Sequence, residues 1–160
     1  LHPPKSGGKK YSKWRGEKKE KKNMDLHNNL KFTTALAPVA AVTNNTPFVS
    51  AILDTANFAG NELLIQLGAL TDANATFTVL IEDGDEAALG DHAAVDDAYL
   101  LGTEVLASFD YGDDNETRKI GYIGAKRYLR ATITPSGNDS GNIFLSATWI
   151  QGGARKAPQA

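Results

Sequence analysis

The chain has 160 residues, 41% of them hydrophobic and 22% charged, which is the length and composition of one ordinary domain. It contains no Cys, which excludes disulfides, thiolate metal sites and a Cys nucleophile and fits synthesis in a reducing cytoplasm. The net charge of −2 divides unevenly: residues 1–23 carry nine Lys/Arg against two acids, and residues 24–160 carry 8 against 17, leaving +7 on a short tail and −9 on the body.

Taken in order, residues 1–23 read as a disordered polycationic arm. Such an arm holds nucleic acid by neutralising phosphates, and Tyr11 and Trp14 would add stacking. A second reading competes. Residues 15–22 (Arg-Gly-Glu-Lys-Lys-Glu-Lys-Lys) use only amino acids that have purine-only codons, as a translated ribosome-binding region would. They stand just before Met24, the one Met of the chain. The expectation is a start at Met24, with nucleic acid a partner only if residues 1–23 are expressed. A signal peptide is a third reading, interrupted by Asp25, His27, Asn28, Asn29 and Lys31 ahead of the mildly apolar 32–42 segment.

Residues 24–45 predict an extended N-terminal arm, anchored by Leu26, Leu30 and Phe32, with Pro38 opposing a continuous helix. Residues 44–47 and 54–57 carry turn chemistry on either side of a strand at 48–53. The apolar run 62–70, interrupted by Gly68, reads as a strand. Residues 76–82 (Thr-Phe-Thr-Val-Leu-Ile-Glu) are the strongest strand by composition, with Phe77, Val79 and Ile81 facing inward. With the turn at 71–74 these two predict a hairpin.

An acidic, Ala-rich excursion follows at 83–97, then weaker strands at 98–104 and 105–111. Residues 117–135 predict a second hairpin, turning at 124–126 where Gly124 supplies backbone freedom. Ile120 and Tyr122 share one face of its first strand. In its second, Leu129, Ala131 and Ile133 point inward, while Tyr128, Arg130, Thr132 and Thr134 point outward. Pro135 is expected to end that strand. A loop at 136–142, a last strand at 143–151 and a tail at 153–160 complete the chain.

Short strands, polar turns and no long amphipathic helix indicate an all-β fold. The expected form is an antiparallel β-sandwich, jelly-roll-like, of residues 46–152, carrying the extended arm. Its core is expected to hide Ile65, Phe77, Val79, Ile81, Ile120, Leu129, Ile133, Phe144 and Trp149. No apolar run approaches the roughly 18 residues of a membrane helix, so no membrane partner is expected.

Few residues suggest chemistry. Asp83 and Asp85, with Asp91, Asp96 and Asp97 nearby, offer oxygens to Ca²⁺, against a plainer reading as a solvated loop guarding a sheet edge. His27 and His92 lie in polar segments without a nucleophile motif, so no catalytic residue, enzyme activity or cofactor is expected. Arg118, Lys119, Lys126, Arg127 and Arg130 cluster around Tyr128 and read as a contact patch for an acidic partner or a neighbouring copy.

Several stretches resemble proteins encoded in the structural gene clusters of tailed bacteriophages and prophages. They are residues 24–29 (Met-Asp-Leu-His-Asn-Asn), 37–40, 79–85 (Val-Leu-Ile-Glu-Asp-Gly-Asp), 93–104 and, most clearly, 118–130 (Arg-Lys-Ile-Gly-Tyr-Ile-Gly-Ala-Lys-Arg-Tyr-Leu-Arg). The resemblance covers nearly all of residues 24–160 and none of 1–23. It implies a virion component on or beside the major capsid shell, such as a decoration or cement protein binding the major capsid protein and copies of itself, with a trimer as the first expectation. A receptor- or carbohydrate-binding module of a head fibre or tail is the alternative. That role would need exposed aromatics, for which Tyr99, Tyr111 and Trp149 are the candidates.

Overall fold

The computed structural model describes residues 25–156. The basic tail, its proposed end at Met24 and residues 157–160 lie outside the described residues. The first strands in chain order are β1 (Leu30–Leu36), β2 (Phe48–Val49), β3 (Leu53–Asp54), β4 (Gly60–Leu70), β5 (Thr76–Gly84) and β6 (Ala93–Ala94). They are followed by β7 (Leu100–Leu101), β8 (Phe109–Asp110), β9 (Thr117–Tyr122), β10 (Tyr128–Ser136) and β11 (Ile143–Gly152). A one-turn helix, α1 (Glu104–Ala107), stands between β7 and β8.

Two antiparallel sheets pack face to face. The first has five strands in the order β1-β11-β4-β9-β7; the second is built on the β10-β5 pair, with β2 and β3 along one edge and β6 and β8 along the other. Alternation does the sorting. Leu63, Ile65 and Leu67 of β4, Ile120 and Tyr122 of β9 and Leu145, Ala147 and Trp149 of β11 are buried on one side of the core. Phe77, Val79 and Ile81 of β5 and Leu129, Ala131 and Ile133 of β10 are buried on the other. The Phe77 and Phe109 rings stack 4.6 Å apart between centroids. The chain is an all-β sandwich, as its periodicity predicts.

Neither predicted hairpin forms. β4 pairs with β9 and β11, while β5 pairs with β10. Each sequence-adjacent pair, β4 with β5 and β9 with β10, is split between the two sheets. The reason is geometric: both members bury an apolar face, and an arch over the sandwich end lets both faces meet one core. Gly124 lies in the second arch, and its φ is not positive. A side chain there would lie 2.4 Å from the Tyr122 hydroxyl, so the glycine provides room rather than backbone freedom.

Other expectations shift as well. Phe144 is exposed at 47%, because β11 alternates from Ile143 and Leu145. β10 runs through the buried Pro135 to Ser136, beyond the two residues covered by β2. Residues 105–111 hold a helical turn and a two-residue strand instead of one strand. Leu30–Leu36, expected within a free arm, pairs along β11 from Leu30↔Gly152 to Thr34↔Thr148. It forms the outer edge of the five-stranded sheet, and Val42 bridges Ile143 further along.

The second sheet's edges are patched by side chains. On β5, the Glu104 carboxylate accepts the Ile81 N–H at 2.6 Å and the Ser108 hydroxyl accepts the Val79 N–H at 3.0 Å, filling the gap between β6 and β8. On β10, the Ser50 hydroxyl accepts the Ala131 N–H at 2.9 Å between β2 and β3. Removing the acceptor strands a strand N–H. Glu104→Ala is therefore expected to lose about 1–3 kcal/mol, with Glu104→Gln, which keeps an oxygen, recovering most of it. Urea midpoints at constant slope measure the difference.

One end of the sandwich is tied by Asp72. Its carboxylate accepts N–H groups from Asn74 at 3.0 Å and from Ser140 and Asp139 at 3.1 Å. The Asn74 bond foremost, then that of Ser140, holds the carboxyl below the usual aspartate range. A depressed native value contributes stability above the unfolded-state value of about 3.9, lost as pH falls through the native value. Asp72→Asn is expected to lower Tm at neutral pH, and the gap to the native chain should close below about pH 4. A gap that stays constant with pH contradicts this. Among the described residues no helix is long and apolar enough to cross a membrane.

Candidate interaction surface

The basic residues expected to form a contact patch do not share a face. Arg118 of β9 lies between Asp113, 2.7 Å away, and Glu116, which together raise its pKa. Lys126 in the arch pairs with Asp85. Arg127 forks onto Asp54 at 3.1 and 2.9 Å, and its guanidinium lies 5.1 Å from the Tyr128 ring centroid. Arg130, on the outer face of the second sheet, gives 2.9 and 2.8 Å bonds to Glu82. Each of these four has an acidic partner in its own chain. The sequence shows the cations as one cluster because their partners lie up to 73 residues away.

The acidic stretch is likewise engaged. Asp83 accepts the Tyr122 hydroxyl at 2.7 Å across the two sheets, and burial followed by this bond pushes that hydroxyl's pKa up. Asp85 holds Lys126, while Asp91 accepts the N–H groups of Asp85 and Glu86 at 2.8 and 3.1 Å. Asp83 and Asp85 therefore face protein donors. Among the described residues no group of three or more His, Cys, Asp or Glu is arranged to hold a metal. His92 is exposed beside Glu82, 3.4 Å away, and His27 is exposed.

On the outer face of the five-stranded sheet, exposed apolar side chains stand beside a half-buried carboxylate. The register places Phe32, Ile150, Glu62, Gly121 and Leu101 in one row across β1, β11, β4, β9 and β7. Thr34, Thr148, Leu64 and Lys119 form the next row. Phe32 is 61% exposed, Leu101 56% and the adjoining Ile123 55%. Around Glu62 the face dips into a depression of about 340 Å³ lined also by Leu30, Leu101, Ile123 and Ile150. The other sheet's outer face shows Thr76, Thr78, Thr132, Thr134 and the Arg130–Glu82 pair, with the exposed Val49 and half-buried Leu80 on either side of Thr132.

Glu62 is the unusual member. Its carboxylate lies over Gly121, where an added Cβ would be 2.6 Å from Oε2. Burial raises its pKa, with Lys119 pulling the other way. Among the described residues no hydrogen bond or ion pair closes on it. Of the expected contact residues, Leu30 and Phe32 lie on this face. Leu26 is exposed in the turn before β1, its carbonyl accepting from Asn29 and Leu30. The sequence did not mark Glu62, Leu101 or Ile150, because β7 and β9 become neighbours only through the fold.

The aromatic residues considered for ligand binding are dispersed. Tyr99 adjoins Ile123 at one end of the sandwich, Tyr111 adjoins Ala75 at the other, and Trp149 is buried. The chain matches no protein-family model, and a search of curated proteins likewise finds no match.

Proposed function

We propose that this chain is a non-enzymatic structural protein of a tailed-phage virion, a decoration or cement protein. On this reading it sits on the capsid surface and binds the major capsid protein and copies of itself. The phage context rests on the resemblance of residues 24–160. The observation that supports an assembly role is the outer face of the five-stranded sheet, where the exposed Phe32 and Leu101 share a row with Ile150 and the half-buried Glu62. Binding that exists only in the assembled particle stabilises it by mass action, with no chemistry required.

Mass spectrometry of purified particles tests the role by copy number: a shell-scale count supports decoration, while the low count of a tail or portal part overturns it. Particles lacking the protein should also lose thermal and osmotic resistance. The alternative, a carbohydrate- or receptor-binding module, is less favoured because Tyr99 and Tyr111 lie at opposite ends of the sandwich. Binding on a glycan array would restore it.

A further inference from the structure

We propose that the outer face of the five-stranded sheet is closed by the same face of a second copy, in a two-fold pair that sets Glu62 of each chain against Lys119 of the other. The inference rests on reading the chain as an assembly protein and names what covers its open face. Three features carry it.

The first is apolar. Phe32, Ile150 and Leu101 share one row, with Leu64 in the next. Sheet-on-sheet packing with another apolar face removes that area from water. The second is charge. Residues 24–160 carry −9, so copies of the body repel one another over most approaches. The two central rows of this face hold one carboxylate and one ammonium, Glu62 and Lys119, on neighbouring strands. A face bearing one charge of each sign is complementary to itself under a two-fold axis, the commonest symmetry of homo-oligomers.

The third is Glu62 itself. Its carboxylate lies over Gly121 in a depression that Leu101 also lines, and Lys119 attracts it without closing an ion pair. A lone half-buried carboxylate is costly, and an opposing ammonium offsets that cost. A pair of this kind differs from the trimer expected from the family resemblance.

Light scattering on the full chain is expected to give twice the mass of a single chain. Glu62→Lys and Lys119→Glu should each bring like charges together and weaken pairing by roughly a hundredfold, with Tm retained as a check on folding. The double exchange, Glu62→Lys with Lys119→Glu, should restore the pair. Attraction within one chain cannot produce that pattern in mass. If either reversal unfolds the chain, Phe32→Thr, at an exposed edge position, is expected to weaken pairing as well.

A single-chain mass at concentrations up to about 0.1 mM, where even a weak pair would form, overturns the proposal. So does a trimer, or a pair indifferent to both reversals. A native chain that stays single yet coats particles would sink the pairing and leave the virion role standing. A sound pair with charge rescue that never joins particles would do the reverse.

Discussion

Replacing Trp149 with Ala is expected to cost about 3–5 kcal/mol, the largest loss from any single side chain in the body. A domain of ordinary stability holds only about 5–15 kcal/mol in total, so the variant should be partly unfolded at moderate temperature. Trp149 is 1% exposed and sits in β11, the strand shared by β1 and β4. Truncation leaves an indole-sized void between two sheets whose backbones are fixed by ladders, so little collapse can fill it. The indole N–H adds a second test, because it is buried with no hydrogen-bond partner. Trp149→Phe removes that unpaired donor while keeping much of the packing. It should cost well under half as much as Ala. Equal losses for Phe and Ala in urea unfolding would show that cavity volume does not set the cost. A loss below about 1 kcal/mol for Ala would contradict the core assignment.

Gly137→Ala is expected to be the next most damaging change, at about 2–5 kcal/mol from two causes acting together. Gly137 has φ of +75°, where an L residue is strained, and a Cβ would stand 2.6 Å from the Asn74 carbonyl oxygen. That oxygen is backbone and cannot swing aside. Gly102 separates the two causes: its φ is +89°, but nothing lies within 4 Å of its Cβ position. Gly102→Ala should therefore show the backbone strain alone, about 1–2 kcal/mol. Matching losses at the two sites would remove the steric explanation. The damage at Gly137 should also loosen the Asp72 contacts to Asp139 and Ser140, which hold the same loop.

The core was largely legible in the sequence, because alternation at Phe77, Val79, Ile81 and at Leu129, Ala131, Ile133 depends only on neighbours two residues apart. Phe144 shows the limit. In a run as apolar as Ile-Phe-Leu, composition does not choose the phase, and the longer stretch from Ile143 to Trp149 does. Pairing was harder to read. A short polar turn between two strands suits either a hairpin or an arch, and which forms depends on where both apolar faces find cover. The intrachain pairing of the basic residues was hidden for a related reason. Lys126, Arg127 and Arg130 are neighbours along the chain, but Asp85, Asp54 and Glu82 reach them only through the folded sheets, whereas Arg118 pairs with Asp113 and Glu116 nearby in sequence. Leu30 and Phe32 lie on one face of β1 because strand residues two apart point the same way.

The split of neighbouring strands between sheets has a kinetic consequence. β4 and β5 cannot close on each other as a local unit, and neither can β9 and β10. β4 instead waits for β9 and then β11, and β1 waits for β11, whose pairing begins at Leu30↔Gly152. Loops this long are entropically expensive to close before any contact repays them, so folding should be slow, in the millisecond-to-second range of sandwich topologies. During synthesis β4 lacks its second neighbour until β11, whose Ala147 and Trp149 stand beside Ile65 and Leu63, has been made. That interval is when the chain is most open to capture by chaperones or by other nascent chains.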